Sequence, residues 1–367
     1  MYYNPVKVIE TNDWRTALSK SISMLNIKNP LVVASVGNIK RNDLLNIFEE
    51  KAIFSDIENN PTFESCQCAI DFSRNKNFDG VIAIGGGSAM DTAKTAMAAI
   101  GNDIFSITDL LSNKLEFPNY IPAIFIPTTH GTASEVTMWG TIWNMTEKRK
   151  YSIAYIELYP DIAILDGSLT LSMPVELSIT TVLDALSHCF EAIWNKNANR
   201  KSTDYAIEGI RIILENVTQL KKNPQDIEVR NRLLKASNLA GLAFSNTKTA
   251  AAHSMSYPLT ISYNIPHGIA CSMPIIPLLR INEQAIQMEL EKIYSKLHIR
   301  NLAELEKLIL RIPDGVIGFS LSEWGVKPSE IDDIVKRSFT KSRMENNIVE
   351  LSKKDIQSAF KSILKKC

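Results

Sequence analysis

The stretch Leu183-Asp184-Ala185-Leu186-Ser187-His188-Cys189-Phe190-Glu191 sets a carboxylate and an imidazole four residues apart in a segment of helical periodicity. That spacing points both side chains to one side of a helix. Asp184 and His188 stand among Leu183, Leu186, Phe190 and Ile193, where burying two polar groups is costly unless something satisfies them. A divalent metal ion would do so. Further on come His253 and His267, the latter in the Pro- and Gly-marked turn Ile265-Pro266-His267-Gly268, and one aspartate with three histidines makes a complete ligand set. A lone histidine on an apolar helix is more often a satisfied core residue than a ligand. Here three of the five histidines of the chain fall into the pattern, while His298 has no such context and reads as surface. Carboxylate and imidazole donors accept iron and zinc alike. Such a set can keep a position open for Lewis-acid chemistry on a bound oxygen.

The second chemical stretch is Gly85-Gly86-Gly87-Ser88-Ala89-Met90-Asp91-Thr92-Ala93-Lys94, which follows the apolar run Val81-Ile82-Ala83-Ile84 and opens a helix. Glycine there lets a ligand approach the backbone, and the unpaired N–H groups of a helix start favour a diphosphate. A later apolar run, Ala123 to Pro127, leads into Thr128-Thr129-His130-Gly131-Thr132-Ala133-Ser134. Its hydroxyls suit ribose, phosphate or amide groups, although a solvated Ser/Thr loop would look the same.

The elements that must position these residues alternate in the first half. Short apolar runs at Val6–Ile9, Pro30–Gly37, Ala52–Phe54, Val81–Ile84, Ala123–Pro127 and Asp161–Asp166 are separated by helical stretches, and a hairpin-like stretch falls at Met138 to Trp143 and Lys150 to Tyr155. This is the signature of a parallel sheet with crossover helices. After Ser172-Met173-Pro174 the periodicity is helical almost throughout, with expected helices that include 175–195, 250–257 and 267–282. The expected fold is an α/β N-terminal domain with a parallel dinucleotide-binding sheet, residues 1–168, and an all-α metal-binding and catalytic domain, residues 169–367.

Composition narrows the class. Of 367 residues, 45% are hydrophobic and 22% charged, and 40 basic residues balance 40 acidic ones. A neutral surface argues against nucleic acid or an anionic membrane as partner. No run reaches the ~18 apolar residues of a membrane span, and no apolar leader follows the start. The five cysteines are odd in number and scattered, and Cys66-Gln67-Cys68 is too close-set for a zinc pair. The expectation is a cytoplasmic protein with reduced thiols and a small-molecule partner.

Taken in order, Gly85-Gly86-Gly87-Ser88-x2-Asp91-x2-Lys94, Pro127-Thr128-Thr129-x-Gly131-Thr132-x-Ser134-Glu135, Asp184-x3-His188-x2-Glu191, His253 and Pro266-His267-Gly268 resemble the iron-containing (group III) alcohol dehydrogenase family over most of the chain. The resemblance implies a dehydroquinate synthase-like architecture, usually dimeric, with iron as the metal, zinc being chemically compatible. It places Asp184, His188, His253 and His267 on the metal ligands. It places Gly86, Gly87, Ser88, Asp91, Thr128 and Thr129 on the cofactor-binding motifs, to which Ser134, Ser35 and Lys150 are added as cofactor contacts.

Departures from the family pattern refine the expectation. Where the family commonly has an aspartate for the 2′-hydroxyl of NAD, this chain has Ser35, followed by Lys40 and Arg41; a 2′-phosphate would be tolerated, so NADPH is expected over NADH. Tyr257 replaces a second histidine four residues after His253, and would donate a proton or hydrogen bond in its place. His130 replaces a small residue. The segment Asn246 to Thr260 is similar to a branch of the family that reduces phosphonoacetaldehyde to 2-hydroxyethylphosphonate. Lys248 and Thr249 precede a helix start where an anionic group would meet backbone N–H groups, and Lys148, Arg149 and Lys150 are further cations. The leading expectation is an NAD(P)H-linked, metal-dependent reductase of a small, possibly anionic aldehyde. A reductase of some other small aldehyde and a dehydroquinate synthase-like lyase are the alternatives.

Overall fold

A computed structural model describes residues 2–365 apart from 75, 101, 103, 113–118 and 148, so Lys148 lies outside the described residues. The chain divides into two compact units. One comprises Asn4–Thr129 and Ala133–Thr170, the other Met1–Tyr3, His130–Thr132 and Leu171–Cys367.

Among the described residues the first unit has eight strands: β1 (Lys7–Glu10), β2 (Pro30–Val33), β3 (Ile53–Phe54), β4 (Gly80–Gly85), β5 (Ala123–Pro127), β6 (Trp139–Asn144), β7 (Arg149–Ala154) and β8 (Ile162–Leu165). Six form one parallel sheet in the order β1-β8-β5-β4-β2-β3, and β6 and β7 form an antiparallel hairpin. The central strands are apolar at every position because both faces are covered. Val81, Ala83, Ala123 and Phe125 enter one core, whereas Ile82, Ile84, Ile124 and Ile126 enter the other, which is the two-residue period of a strand. The connecting helices are α1 (Trp14–Met24), α2 (Val36–Arg41), α3 (Phe63–Ser73), α4 (Gly87–Ala99) and α5 (Ile107–Leu110). Asp13 caps α1 by accepting from the Thr16 N–H, and Thr62 and Ser65 form a capping box at α3.

The second unit is helical: α6 (Val175–Ile193), α7 (Arg200–Lys222), α8 (Ile227–Thr247), α9 (Ala251–Tyr263), α10 (His267–Ser272), α11 (Ile275–Asn282), α12 (Gln287–Leu297), α13 (Leu302–Leu310), α14 (Ile331–Arg337), α15 (Lys341–Met344) and α16 (Lys353–Ser362). Its core takes Ile179, Val182, Leu186, Phe190 and Ile193 from α6 and Ile210, Ile213 and Val217 from α7, the three- and four-residue spacing of packed helices.

Two expected helix boundaries are corrected. The helix over 267–282 is two, because α10 ends at Ser272 and Pro274 caps α11, proline having no N–H to continue the ladder. The helix at 250–257 instead runs on through Pro258 to Tyr263. Burial of Met255, Ser256, Pro258 and Leu259 overrides the local cost of that proline.

Candidate functional site

In the helical unit, Asp184 lies on α6, His253 in the first turn of α9, and His267 at the first position of α10. The close approach of α10 to α6 depends on Gly268, where a Cβ would stand 2.1 Å from the Thr180 carbonyl oxygen. Glu191, two turns along α6 from Asp184 and fully buried, fixes His253. Its Oε1 accepts from the His253 backbone N–H at 2.9 Å and its Oε2 lies 2.6 Å from His253 Nδ1. That leaves His253 Nε2 buried without a hydrogen bond, 3.7 Å from Asp184 Oδ1. Cys271 Sγ lies 3.4 Å from the same oxygen.

One donor atom each from Asp184, His253, His267 and Cys271 falls within 4.8 Å of the others. Separations of 3.4 and 3.7 Å are those of neighbouring ligands on a common ion at about 2.0–2.3 Å. The donor set therefore fits a divalent transition metal. His188 lies beside this set and acts on the Asp184 charge. Its ring stacks on His253, centroids 4.5 Å apart, and on Phe244, centroids 4.1 Å apart, and it is Cys271 that completes the close cluster of four.

The electrostatics suit a cation. Burial alone would raise the Asp184 carboxyl, but the His188, His253 and His267 imidazoles outweigh it and hold the group well below the usual carboxylate range. Burial would likewise lower His253, but Glu191 and Asp184 push it up to about 8. Without an ion the protein must gather buried imidazoles around two carboxylates, and an ion would replace those protons.

Tyr257 lies one turn beyond His253 on α9, half-buried. Burial pushes its phenol up to about 12, although Arg343 acts in the opposite direction, so it carries its proton at neutral pH. Lys248 is exposed and Thr249 half-buried just ahead of α9. At this helix start the Ala250 and His253 N–H groups are taken up by Glu191.

In the α/β unit, the carboxyl ends of β2, β4 and β5 lie side by side. Gly86, the N-cap of α4, passes so close to Thr129 that a Cβ would come within 3.0 Å of its methyl group, and the Thr128 N–H donates to the Gly85 carbonyl. Gly87 opens α4, with Ser88 following, whose hydroxyl accepts from the Asn60 N–H. Ser35 caps α2, and Asn38 Nδ2 reaches the Ile84 carbonyl. These residues come together around one helix start, a place that suits a diphosphate.

Asp91 and Ser134 lie one layer behind it. Ser134 Oγ donates to Asp91, and the fully buried Lys94 donates to the Ser134 carbonyl, Ser134 Oγ, Thr137 Oγ1 and the Trp139 carbonyl. Burial lowers Lys94 to about 8 against the pull of Asp91 and Glu135. The three side chains brace the loop after β5. Lys150 sits on β7 with its ammonium 5.7 Å from the Trp143 ring centroid.

Residues 5–167 match the model of iron-containing alcohol dehydrogenases, and residues 178–364 that of the C-terminal region of the Fe-containing alcohol dehydrogenase family. The chain belongs to the iron-containing alcohol dehydrogenase family. It is 30% identical to an NAD-dependent methanol dehydrogenase of Bacillus methanolicus, over 85% of this chain and 84% of that protein. It is 29% identical to long-chain-alcohol dehydrogenase 1 of Geobacillus thermodenitrificans, over 84% and 81%. A sulfoacetaldehyde reductase from Bifidobacterium kashiwanohense, solved in complex with NAD+, superposes with a TM-score of 0.91 at 26% identity, covering 99% of this chain and 98% of that one. The chain is therefore an oxidoreductase acting on CH–OH groups, which decides between the reductase and lyase expectations.

From the sequence alone Cys271 carries no role at the site, and Glu191 enters only as a member of the Asp184-x3-His188-x2-Glu191 motif. Cys271 repeats, after His267, the four-residue spacing of Asp184 and His188, and that repeat was the available signal. The hold of Glu191 on His253 joins residues 62 apart and leaves no local trace. No helix among the described residues is long and apolar enough to cross a membrane.

Proposed function

We propose that this protein is a cytoplasmic, NADPH-preferring, metal-dependent aldehyde reductase whose substrate carries a phosphonate or sulfonate beside the aldehyde, with phosphonoacetaldehyde as the first candidate. The observation that carries the reading is the cluster of buried Asp184 and His253 with half-buried His267, the His253 imidazole being fixed by Glu191. His188 completes the ligand set we assign, with iron as the resident metal. These residues would hold a divalent ion, which would supply Lewis acidity toward an aldehyde carbonyl for hydride transfer from nicotinamide.

The protein side of the chemistry falls to named groups. Asp184 and Glu191 would supply the negative charge to hold a cation, and Glu191, bound to Nδ1, leaves His253 Nε2 free on the Asp184 side. Tyr257, protonated at neutral pH, is the group we assign to donate to a developing alkoxide. We assign residues 1–168 to the dinucleotide and residues 169–367 to metal and substrate. Gly86, Gly87, Ser88, Thr128 and Thr129 would contact the cofactor directly, with Asp91 and Ser134 bracing them and Lys150 beside them. The NADPH preference rests on Ser35 where a carboxylate would repel a 2′-phosphate, and on Arg41, whose guanidinium folds back to Asn38 Oδ1 at 3.2 Å. The family resemblance adds a homodimer, which sedimentation velocity tests.

The anionic substrate class is supported by the likeness to a sulfoacetaldehyde reductase, since sulfo- and phosphonoacetaldehyde are the same two-carbon aldehyde with different tetrahedral anions. Lys248 and Thr249 are the sequence candidates for that anion. The test is the initial rate of NADPH and NADH oxidation by anaerobically iron-loaded protein with phosphonoacetaldehyde, sulfoacetaldehyde, acetaldehyde and lactaldehyde. A kcat/KM at least tenfold higher for an anionic aldehyde, and higher with NADPH than NADH, is expected. Equal use of charged and uncharged aldehydes would remove the anion from the reading, and equal use of the two nucleotides would remove the NADPH preference.

A further inference from the structure

Arg343 stands on the short helix α15, half-buried, with its guanidinium carbon 5.1 Å from the centroid of the Tyr257 ring. Among the described residues its guanidinium has no hydrogen bond and no carboxylate partner. The other large buried or half-buried cations of the helical unit are spoken for. Arg211 is paired with Glu208 and Glu215, and Arg230 donates to the Pro224 carbonyl, Ser178 Oγ and the Met173 carbonyl. A half-buried cation that gives up part of its hydration without an anion is costly unless a ligand supplies one.

The segment is held in place on both sides of Arg343. Ser254 Oγ accepts from the Thr340 N–H at 2.9 Å and donates to the Ser338 carbonyl at 2.6 Å. Asn346 Nδ2 donates to the Thr249 carbonyl at 2.8 Å, and Asn347 exchanges amide hydrogen bonds with Asn282. The backbone that carries Arg343 is therefore tied to α9 and to the residues ahead of it, so little ordering is left for binding to cost. Tyr257, under the guanidinium, is four residues and about 6 Å along the helix from His253, and Glu191 and Cys271 act on its charge.

We propose that Arg343 is the specificity-determining residue of this enzyme, its guanidinium taking the phosphonate or sulfonate of the substrate while the aldehyde end faces Asp184, His253 and His267. This rests on the anionic-aldehyde reading above and names the group that enforces it. A guanidinium matches two oxygens of a tetrahedral anion with two parallel N–H donors, and the face of Tyr257 orients the fork. Lys248, exposed on its own backbone turn, adds charge at longer range.

Three proteins, wild type, Arg343→Met and Arg343→Lys, are to be compared in their metal-loaded form. The readouts are the ratio of kcat/KM for phosphonoacetaldehyde to that for acetaldehyde, and the dissociation constant of ethylphosphonate by calorimetry. Arg343→Met is expected to lower the ratio about 10- to 100-fold, mainly through KM, and to weaken ethylphosphonate by a similar factor. Arg343→Lys keeps the charge but loses the fork, so a smaller drop of about 3- to 10-fold is expected; this variant carries the test alone if Arg343→Met does not fold. A wild-type preference for the anion that survives both changes, with ethylphosphonate binding intact, overturns the role of Arg343 and leaves the anionic reading standing. A wild-type enzyme that prefers acetaldehyde overturns both.

Discussion

Lys248 joins function to stability at a single residue. It ends α8 at φ 65° and ψ 174°, a backbone region open to glycine and closed to side chains at a cost of about 1–3 kcal/mol. Three hydrogen bonds hold it there: its N–H donates to the Phe244 carbonyl, and its own carbonyl accepts from Asn195 Nδ2 and Thr247 Oγ1. A strained lysine kept at a turn beside the candidate site is what a ligand contact would explain. Lys248→Gly is therefore expected to stabilise the protein by about 1 kcal/mol, the relief of strain exceeding the extra freedom glycine gives the unfolded chain. Lys248→Ala keeps the strain and would show no such gain. Urea denaturation of the three proteins decides it, and equal midpoints for the glycine and alanine variants would sink the idea. At this scale the sequence was informative where chemistry is local: Asp184 and His188, or His253 and Tyr257, are one helical turn apart and can be read from spacing. The contact of Arg343 with Tyr257 spans 86 positions, from 257 to 343, and nothing in either neighbourhood announces it. The helix start at Ala250 shows the same limit, since the carboxylate that reaches its N–H groups comes from Glu191 on another helix.

At the scale of elements, α6 and α8 are joined through two fully buried side chains, His130 and Arg230. Arg230 Nη1 lies 3.4 Å from His130 Nε2 and donates to Ser178 Oγ, while His130 Nδ1 lies 3.5 Å from Thr181 Oγ1, which itself donates to the Ser178 carbonyl. A neutral imidazole serves this chain of bonds by accepting from the guanidinium at Nε2. A protonated one would set N–H against N–H. Burial, aided by Arg230, accordingly lowers His130 to about 3 from an ordinary 6.5. As pH falls below 6.5 the unfolded chain takes up the proton and the folded one does not until near 3. This residue therefore costs the fold up to about 1.4 kcal/mol per pH unit across that window. His130→Gln, which does not titrate, is expected to lose about 2 kcal/mol less than wild type between pH 7 and pH 5, measured by urea unfolding at both values; parallel losses would show that His130 is not the titrating group. The elements themselves were largely legible. Strands such as Val81–Ile84 are continuous apolar runs because both faces are buried, and Asp13 and Thr62 announce the helices they cap. The boundaries that were misread, at Pro258 and Pro274, turn on whether packing overrides a proline, which the local sequence does not say.

For the whole molecule, the two compact units give two ligand responses that can be read separately. The metal cluster draws Asp184 from α6, His253 from α9 and both His267 and Cys271 from α10, so one ion would cross-link three helices of the helical unit. The glycine turn and the Thr128–Thr129 loop belong to the sheet of the other unit. A ligand that binds only the folded state stabilises it by about 2.7 kcal/mol at a hundred times its dissociation constant, and local opening is suppressed first where the ligand is held. Removing the metal with a chelator is thus expected to lower the unfolding midpoint and to raise hydrogen exchange over 184–191, 250–257 and 267–272, with the strand peptides 81–84 and 123–127 little changed. NADPH added to the metal-free protein should protect the segments 85–94 and 128–134 instead. Restoring Fe2+ or Zn2+ should reverse the first change, and each ion can be ranked by the midpoint it restores, a comparison that needs no turnover. Cys271→Ser sharpens the result: with His188 and not the neighbouring sulfur as the fourth ligand, it should leave the ratio of Zn2+ to Fe2+ affinity unchanged, whereas loss of a coordinating thiolate would cost Zn2+ more, because a thiolate favours the softer acceptor. Identical protection with and without metal would mean that these side chains form a polar core and hold no ion.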